Sequence, residues 1–320
     1  MDAAPLEPPV LAWLGRELPG HAVAAAEPLG GGYSNDNALI TTDRGRYVLR
    51  RYRPRPGRDT GRTCSVEAAL AARAAAAGVP VAEVIAADPG GRAAGQPLLL
   101  ARFAPGVMVS NALAADPGAA AGLGRAAGQA LAAIGTVTFA RAGLFTGPDL
   151  VPSPAGLPAS LPGFVETCLR AGSAAQALSP AELDRLRALA AAADPLARSV
   201  TGARQLVHSD YNGKNLLAVA RDGRWSISAV LDWEFAYSGS PLADIGNMLR
   251  FRSDDRDGFA GPFIAGYRDA GGALPPRWRE ISEALDLYAL ADFLTRPPGH
   301  RYFGKAVTLL KSHLERPVPG

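Results

Sequence analysis

The chain has 320 residues, of which 48% are hydrophobic and 20% charged, with a formal charge of +3, a composition that excludes disorder, collagen and coiled coil and demands neither nucleic acid nor an anionic membrane as partner. No apolar run approaches the ~20 residues of a bilayer crossing, the acidic, Pro-rich start Met1-Asp-Ala-Ala-Pro-Leu-Glu-Pro-Pro9 is unlike a signal peptide, and two cysteines, Cys64 and Cys168, make no disulfide framework, so a cytoplasmic protein is expected. A chain this long exceeds what one core usually fills, and two lobes are expected.

Residues 22–53 read as strands joined by tight turns: Gly30, Gly31 and Gly32 interrupt the first segment and Asp43-Arg-Gly45 the second, while Arg46-Tyr-Val-Leu-Arg-Arg-Tyr52 alternates as a strand does. Residues 54–63, mixing Pro, Gly and Arg, read as a loop. A helix is predicted over 65–77, capped by Ser65 and stopped by Gly78 and Pro80. The short apolar runs 81–87 and 97–103 read as strands. Past Pro105 and Gly106 the pattern turns helical, with a helix over 119–134 and a Pro/Gly-rich surface loop over 145–163. Ser179-Pro-Ala-Glu182 opens a further helix with a capping box and Pro at its first position, its body reaching about 193. The apolar runs 216–219 and 227–233 flank Arg221-Asp-Gly223 as the strands of a β-hairpin would. Helices return at 242–251, 278–294 and 303–314. The expected fold class is α+β: a small β-rich lobe, a connector near 101–106, and a larger, mainly helical lobe containing one hairpin. A cleft between two such lobes suits a ligand.

Leu206-Val-His-Ser-Asp-Tyr-Asn-Gly-Lys-Asn-Leu-Leu217 carries the most chemistry, as His208-x-Asp210-x4-Asn215, and a second carboxylate follows in Val230-Leu-Asp232-Trp-Glu234. The hairpin places Asn215 just before its first strand and Asp232 near the end of its second, so antiparallel pairing brings Asp210, Asn215 and Asp232 towards one point. Such hard oxygen donors suit Mg2+, which takes one or two carboxylates and fills the rest of its shell with phosphate oxygens and water.

These segments, with Gly239-Ser-Pro-Leu-Ala-Asp244, resemble the aminoglycoside phosphotransferase and choline kinase-like family, whose fold is similar to that of protein kinases. The resemblance implies a nucleotide-binding lobe over 1–103 and a catalytic, acceptor-binding lobe over 104–320. It makes Asp210 the base that takes the acceptor hydroxyl's proton, Asn215 and Asp232 the metal ligands, and His208 and Asp244 structural supports of the loop. In the first lobe it makes the Gly-rich turn with Gly31, Gly32 and Ser34 a phosphate cradle. Arg50 stands where many of these kinases have the Lys that pairs with nucleotide phosphates, and Arg51 is left open as the alternative. Glu67, read as lying in the first turn of the 65–77 helix, would pair with Arg50 or complement that helix's N-terminus. Backbone groups from Ala101 to Phe103 would meet the adenine edge.

On the acceptor side, Asp254, Asp255 and Asp257 alternate with arginines and read as a solvated loop. Ile281, Leu285, Tyr288 and Asp292 share one helical stripe, which makes Asp292 an acceptor-lining candidate or the partner of Arg296. His21, His300 and His313 lack metal-ligand spacing, and Trp233 and Phe235 read as core. The function expected is an ATP- and Mg2+-dependent small-molecule kinase, with GTP left open as donor. Its acceptor is a small-molecule hydroxyl, an antibiotic first and a choline-, homoserine- or sugar-like metabolite second. A catalytically inactive, kinase-shaped binding protein is the rival from another class. The oligomeric state is left open.

Overall fold

The computed structural model describes residues 6–30, 35–55, 57–250 and 258–315. The chain opens with helix α1 (Pro8–Glu17), which the Pro-rich start conceals. Two prolines occupy its first positions, where a missing N–H costs nothing, and Val10, Trp13 and Leu14 then recur at helical spacing and are buried. Strands β1 (Val23–Leu29), β2 (Asp36–Thr42) and β3 (Gly45–Arg51) follow, then helix α2 (Thr60–Ala76), β4 (Val84–Asp88) and β5 (Leu98–Arg102). The five strands form one antiparallel sheet in the order β1-β2-β3-β5-β4.

Both faces of that sheet are covered, which explains the unbroken apolar run of β5. Leu98 and Leu100 join Ile40, Tyr47 and Leu49 beneath α1, while Leu99 and Ala101 meet Tyr52 and Cys64 on the α2 side. The same alternation separates two arginines of β3. Arg51 shares the α1 side and grips Glu7, just ahead of α1, through Nη1 at 3.0 Å and Nη2 at 2.5 Å. Arg50 points to α2.

α2 begins five residues earlier than its predicted start at 65. Asp59 rather than Ser65 is the cap, its side chain accepting from the Arg62 N–H at 2.9 Å. Gly61, which reads as a breaker, is there for close packing: a Cβ would lie 2.7 Å from the Pro89 carbonyl oxygen. Glu67 therefore sits two turns inside the helix, away from its N-terminus.

The rest of the chain adds β6 (Val107–Met108), α3 (Val109–Ala115), α4 (Ala120–Ile134), β7 (Gly143–Leu144), α5 (Leu161–Ala171), α6 (Pro180–Arg198), β8 (Gln205–Val207), β9 (Leu216–Arg221) and β10 (Arg224–Val230). After these come β11 (Tyr237–Gly239), α7 (Leu242–Leu249), α8 (Ala260–Asp269), α9 (Trp278–Phe293) and α10 (Arg301–Leu314). The hairpin stands where its turn signal put it: β9 pairs with β10 through Asp222 and Gly223, both at positive φ (50° and 72°). β6 joins its other edge, and β7, β11 and β8 make a second small sheet. α6 has the expected capping box and runs on to Arg198, through Pro195. α3, α5 and α8 were not anticipated, and α5 starts within the predicted 145–163 loop because Ser160 caps it and Pro162 sits in its first turn.

α2 is shared between the lobes. Leu70 and Ala74 enter the large core with Val109, Leu123 and Val230. Both cysteines are free and buried, and burial pushes their thiols up, Cys64 to about 12 and Cys168 to about 11. Among the described residues no helix is long and apolar enough to cross a membrane.

α4 and α8 cross so closely that side chains are excluded: a Cβ at Gly128 would lie 2.0 Å from the Phe263 carbonyl oxygen. Gly304 in α10 faces open space. Gly128→Ala is expected to cost ~1–3 kcal/mol or more, the price of forcing atoms into a packed interface. Gly304→Ala is expected to gain ~0.5–1 kcal/mol from helix propensity. Thermal melting of the two variants should move in opposite directions.

Candidate active site

The site is assembled where β3, α2, the loop after β8 and the segment after β10 meet. Arg50 Nη1 donates to Glu67 Oε1 at 2.5 Å and to Asp232 Oδ1 at 3.0 Å, and its Nε reaches Asn37 Oδ1 on β2 at 3.3 Å. Tyr52, two residues along the same strand face, donates to the other Glu67 oxygen at 2.5 Å. Burial pushes Glu67 above the usual carboxylate range, with Arg50 pulling the other way. Burial opposes the charge on Arg50, and the Glu67 and Asp232 carboxylates overcome it and raise the guanidinium further.

The loop after β8 is held from behind. The Asp244 carboxylate accepts the backbone N–H groups of His208 and Ser209, each at 2.7 Å. Burial pushes Asp244 up to about 7 against the pull of those two bonds. The His208 ring bridges the two halves of the site: Nε2 donates to the Leu231 carbonyl at 2.9 Å, and Nδ1 accepts the Asp210 N–H at 3.3 Å. Only the neutral Nε2–H ring makes both bonds, and burial lowers its pKa to about 4. Tyr211 anchors the loop to α4 by donating to the Ala127 carbonyl at 2.7 Å.

Asp210 is flanked by two side-chain amides. Asn215 Nδ2 donates to one carboxylate oxygen at 2.7 Å and Asn212 Nδ2 to the other at 2.8 Å. Burial pushes the Asp210 pKa up, and the Asn215 hydrogen bond limits the rise. The Leu231 N–H donates to the Asn215 carbonyl at 2.8 Å, which brings the two ends of the hairpin together and sets Asp232 beside Asn215. Ser209 (φ 69°) and Asp232 (φ 68°) both have left-handed backbones without being glycine, a strain that surrounding contacts must hold and that gathers at functional sites.

Asp210, Asn215, Asp232, Arg50, Glu67, His208 and Asp244 are thus brought together. Ala101 and Phe103 lie along and beyond the end of β5. The N–H groups of Arg102 and Phe103 are spent on the Glu83 and Arg46 carbonyls, at 2.7 and 2.9 Å. Asp292 pairs with Arg296 at 3.5 Å, with about half its side chain exposed, and shares no hydrogen bond with the Asp210 cluster. Gly31, Gly32 and Ser34, with Asp254, Asp255 and Asp257, lie outside the described residues. Trp233 is core, its ring 4.7 Å from that of His208. Phe235 is not, being 40% exposed beneath the Arg58 guanidinium: it follows the turn that carries Asp232 and Trp233 inward and so faces out. No cluster of three or more His, Cys, Asp or Glu that could hold a metal occurs among the described residues.

Residues 25–281 match the phosphotransferase enzyme family, APH. The chain belongs to that family. It is an ATP-dependent phosphotransferase acting on a hydroxyl group. No curated protein matches it. Its fold is shared with solved structures. One is a thermostable mutant of aminoglycoside phosphotransferase APH(4)-Ia in ternary complex with AMP-PNP and hygromycin B, at 18% identity, covering 95% of this chain and 97% of that one with a TM-score of 0.67. Another is the GDP complex of aminoglycoside 2'-phosphotransferase-IIIa, at 15% identity, 95% and 97% coverage and a TM-score of 0.66. A third is the macrolide 2'-phosphotransferase MphH from Brachybacterium faecium, at 21% identity, 94% and 96% coverage and a TM-score of 0.62.

Three polar members of this phosphotransferase's site escaped the sequence reading. Tyr52 was legible from strand alternation, lying two residues from Arg50 on one face. Asn212 and Asn37 carry no spacing signal of their own. Arg50→Ala is expected to weaken nucleotide binding by about 10- to 100-fold, the worth of one or two charge-assisted hydrogen bonds. Arg51→Ala, which loses the pairing with Glu7 on the opposite face of the sheet, should leave affinity near wild type. Calorimetric titration with nucleotide separates the two.

Proposed function

We propose that this phosphotransferase transfers the terminal phosphoryl group of Mg2+-bound ATP to a hydroxyl of an antibiotic. The convergence of Asp210, Asn215 and Asp232 with the Arg50–Glu67 pair carries the reading.

The residues present fit a Mg2+ ion. Asn215 spends its Nδ2 on Asp210, which turns its amide oxygen the other way, and Asp232 uses Oδ1 for Arg50 while Oδ2 accepts no hydrogen bond among the described residues. Two hard oxygens are left over, one of them charged, as Mg2+ requires when phosphates and water complete its shell. Asn215 and Asp232 would hold the ion, and the ion, when bound, neutralises charge on the phosphates. Arg50, kept cationic and aimed by Glu67, binds phosphate oxygens. The strand end at Ala101 and Phe103 is the candidate seat of the base, with the N–H groups of Arg102 and Phe103 already spent on the Glu83 and Arg46 carbonyls.

Asp210 acts on the acceptor. The Asn212 and Asn215 amides fix the carboxylate plane, so an oxygen is presented to the incoming hydroxyl without prior rearrangement. Asp210 orients that hydroxyl and accepts its proton as the bond to phosphorus forms. Its raised pKa makes it a better base than a solvated aspartate and sets a limit in acid, since protonated Asp210 cannot accept. The antibiotic assignment is supported by the neighbours' acceptors and chemistry, hygromycin B in the APH(4)-Ia complex and macrolides for MphH. Asp292, at the end of α9, is a candidate contact to the acceptor.

A panel of antibiotic hydroxyl compounds against choline, homoserine and sugars, scored for ADP release above the acceptor-free background, tests the reading. An antibiotic is expected to stimulate release, and stimulation by a metabolite alone would reassign the acceptor. With the acceptor so found, Asp210→Asn is expected to lower kcat by ~10²–10⁴-fold with nucleotide affinity little changed. Wild-type kcat/KM should fall as pH drops through an acid limb lying above the range of a free aspartate, because burial raises the base. An acid limb at the ordinary aspartate value, or near-wild-type turnover in Asp210→Asn, contradicts the assignment.

A further inference from the structure

Glu234 lies two residues beyond Asp232 with a side chain only 2% exposed. Its carboxylate sits between two arginines of the segment that leads into α2: Oε1 is 3.7 Å from Arg55 Nη1, and Oε2 is 3.4 Å from Arg58 Nη2. Arg58 Nη2 also donates to the Glu234 carbonyl at 3.1 Å. The Arg58 N–H donates to the Arg55 carbonyl at 3.2 Å, closing a turn directly before Asp59, the cap of α2. From that cap α2 runs to Glu67, whose pKa the Glu234 charge helps to raise. Glu67 holds Arg50, and Arg50 holds Asp232.

The contacts therefore close a circuit. Asp232 is tied to the middle of α2 through Arg50 and Glu67, and its neighbour Glu234 is tied to the start of α2 through Arg58. Burying a carboxylate is costly unless it is well paired, and this one is paired loosely: Glu234 Oε1 and Arg55 Nη2 are both buried without a hydrogen bond. An apolar side chain would fill the space at lower cost to stability, so keeping charge there needs another reason. The backbone supplies one. Asp232 is held at a left-handed φ of 68°, which persists only where neighbours over-determine it.

We propose that Glu234 and Arg58 are positioning residues of the phosphotransfer site: a clamp at the far side of Asp232 that, with the Arg50–Glu67 pair, fixes its carboxylate for Mg2+ and nucleotide. The clamp rests on the reading of Asp232 as a metal ligand. It acts through Asp232, touches neither nucleotide nor acceptor, and makes the start of α2 a determinant of metal affinity.

The test is binding of a non-hydrolysable ATP analogue, titrated with Mg2+ and compared with EDTA, beside thermal melting. Wild type, Arg58→Ala, Arg58→Lys, Glu234→Gln and the Arg58→Ala/Glu234→Gln double variant are compared. Each single loss is expected to raise the Mg2+ concentration for half-maximal binding by about 10-fold, the usual effect of removing a residue that orients a ligand. Affinity in EDTA should stay unchanged, and Arg58→Lys should recover most of the loss. The double variant should be no worse than the weaker single one, because both remove one contact. A shift in Glu234→Gln with none in Arg58→Ala would overturn the clamp and leave Glu234 acting on the metal directly. A lowered Tm with unchanged Mg2+ dependence would overturn it in favour of a purely structural pair. A wild type that binds the analogue equally in Mg2+ and EDTA would overturn the metal reading and the clamp with it.

Discussion

Arg50 reaches out of β3 with one nitrogen shared between Glu67 of α2 and Asp232 beyond β10, and the geometry of the site depends on that junction. Three elements distant in sequence meet at a single guanidinium that is 16% exposed. A buried charge of this kind tolerates no missing partner: removing one side of such a pair typically costs ~3–5 kcal/mol. The apolar packing around it is less selective. α2 offers Cys64 to the sheet and Leu70 and Ala74 to the helical core, and its Gly61 lies close against the Pro89 carbonyl, contacts that hold the helix between the lobes. The ion pair, joined by the Tyr52 hydroxyl, ties α2 to Asp232.

The other half of the site is built by backbone constraint. Asp244 accepts two consecutive N–H groups, and His208 spans from the Asp210 N–H to the Leu231 carbonyl. Neither residue faces the space in front of Asp210. Together they hold Ser209 in a left-handed conformation and leave Asp210 presented between two asparagine amides. Rigidity is what phosphoryl transfer asks of a protein, since little covalent chemistry is left for it beyond positioning and charge. The site's polarity follows the same division: cationic Arg50 with the free oxygens of Asn215 and Asp232 on the side proposed for the nucleotide, a carboxylate of raised pKa on the side proposed for the acceptor.

Much of this was legible from residues that carry their own geometry. Asp222 and Gly223 specify a hairpin wherever they fall between apolar runs, so the approach of Asn215 to Asp232 could be read before any coordinates. The capping box at Ser179 placed the start of α6 for the same reason. Strand alternation set Arg50 and Arg51 on opposite faces but not which face held the site, because the covering helix α1 hid behind two prolines. α2 was started late because Gly61 and the flanking arginines mimic a loop, and the burial of Glu67 in mid-helix was lost with it. Asn212 and the Glu234–Arg58 contact depend on segments meeting in space, and no local period announces them. Asp292 is legible as a stripe residue, and it pairs with Arg296.

In the proposed site Arg50, Glu67 and Asp232 act as one unit rather than as three separate contacts to a nucleotide. A double-mutant cycle measures this directly: nucleotide affinity of Arg50→Ala, Glu67→Gln and the pair together, in the presence of Mg2+. If Glu67 acts on the nucleotide by aiming Arg50, Glu67→Gln should weaken binding in the wild type and add almost nothing once Arg50 is gone, a coupling of about 1–3 kcal/mol. Independent, additive losses from the two substitutions would contradict it.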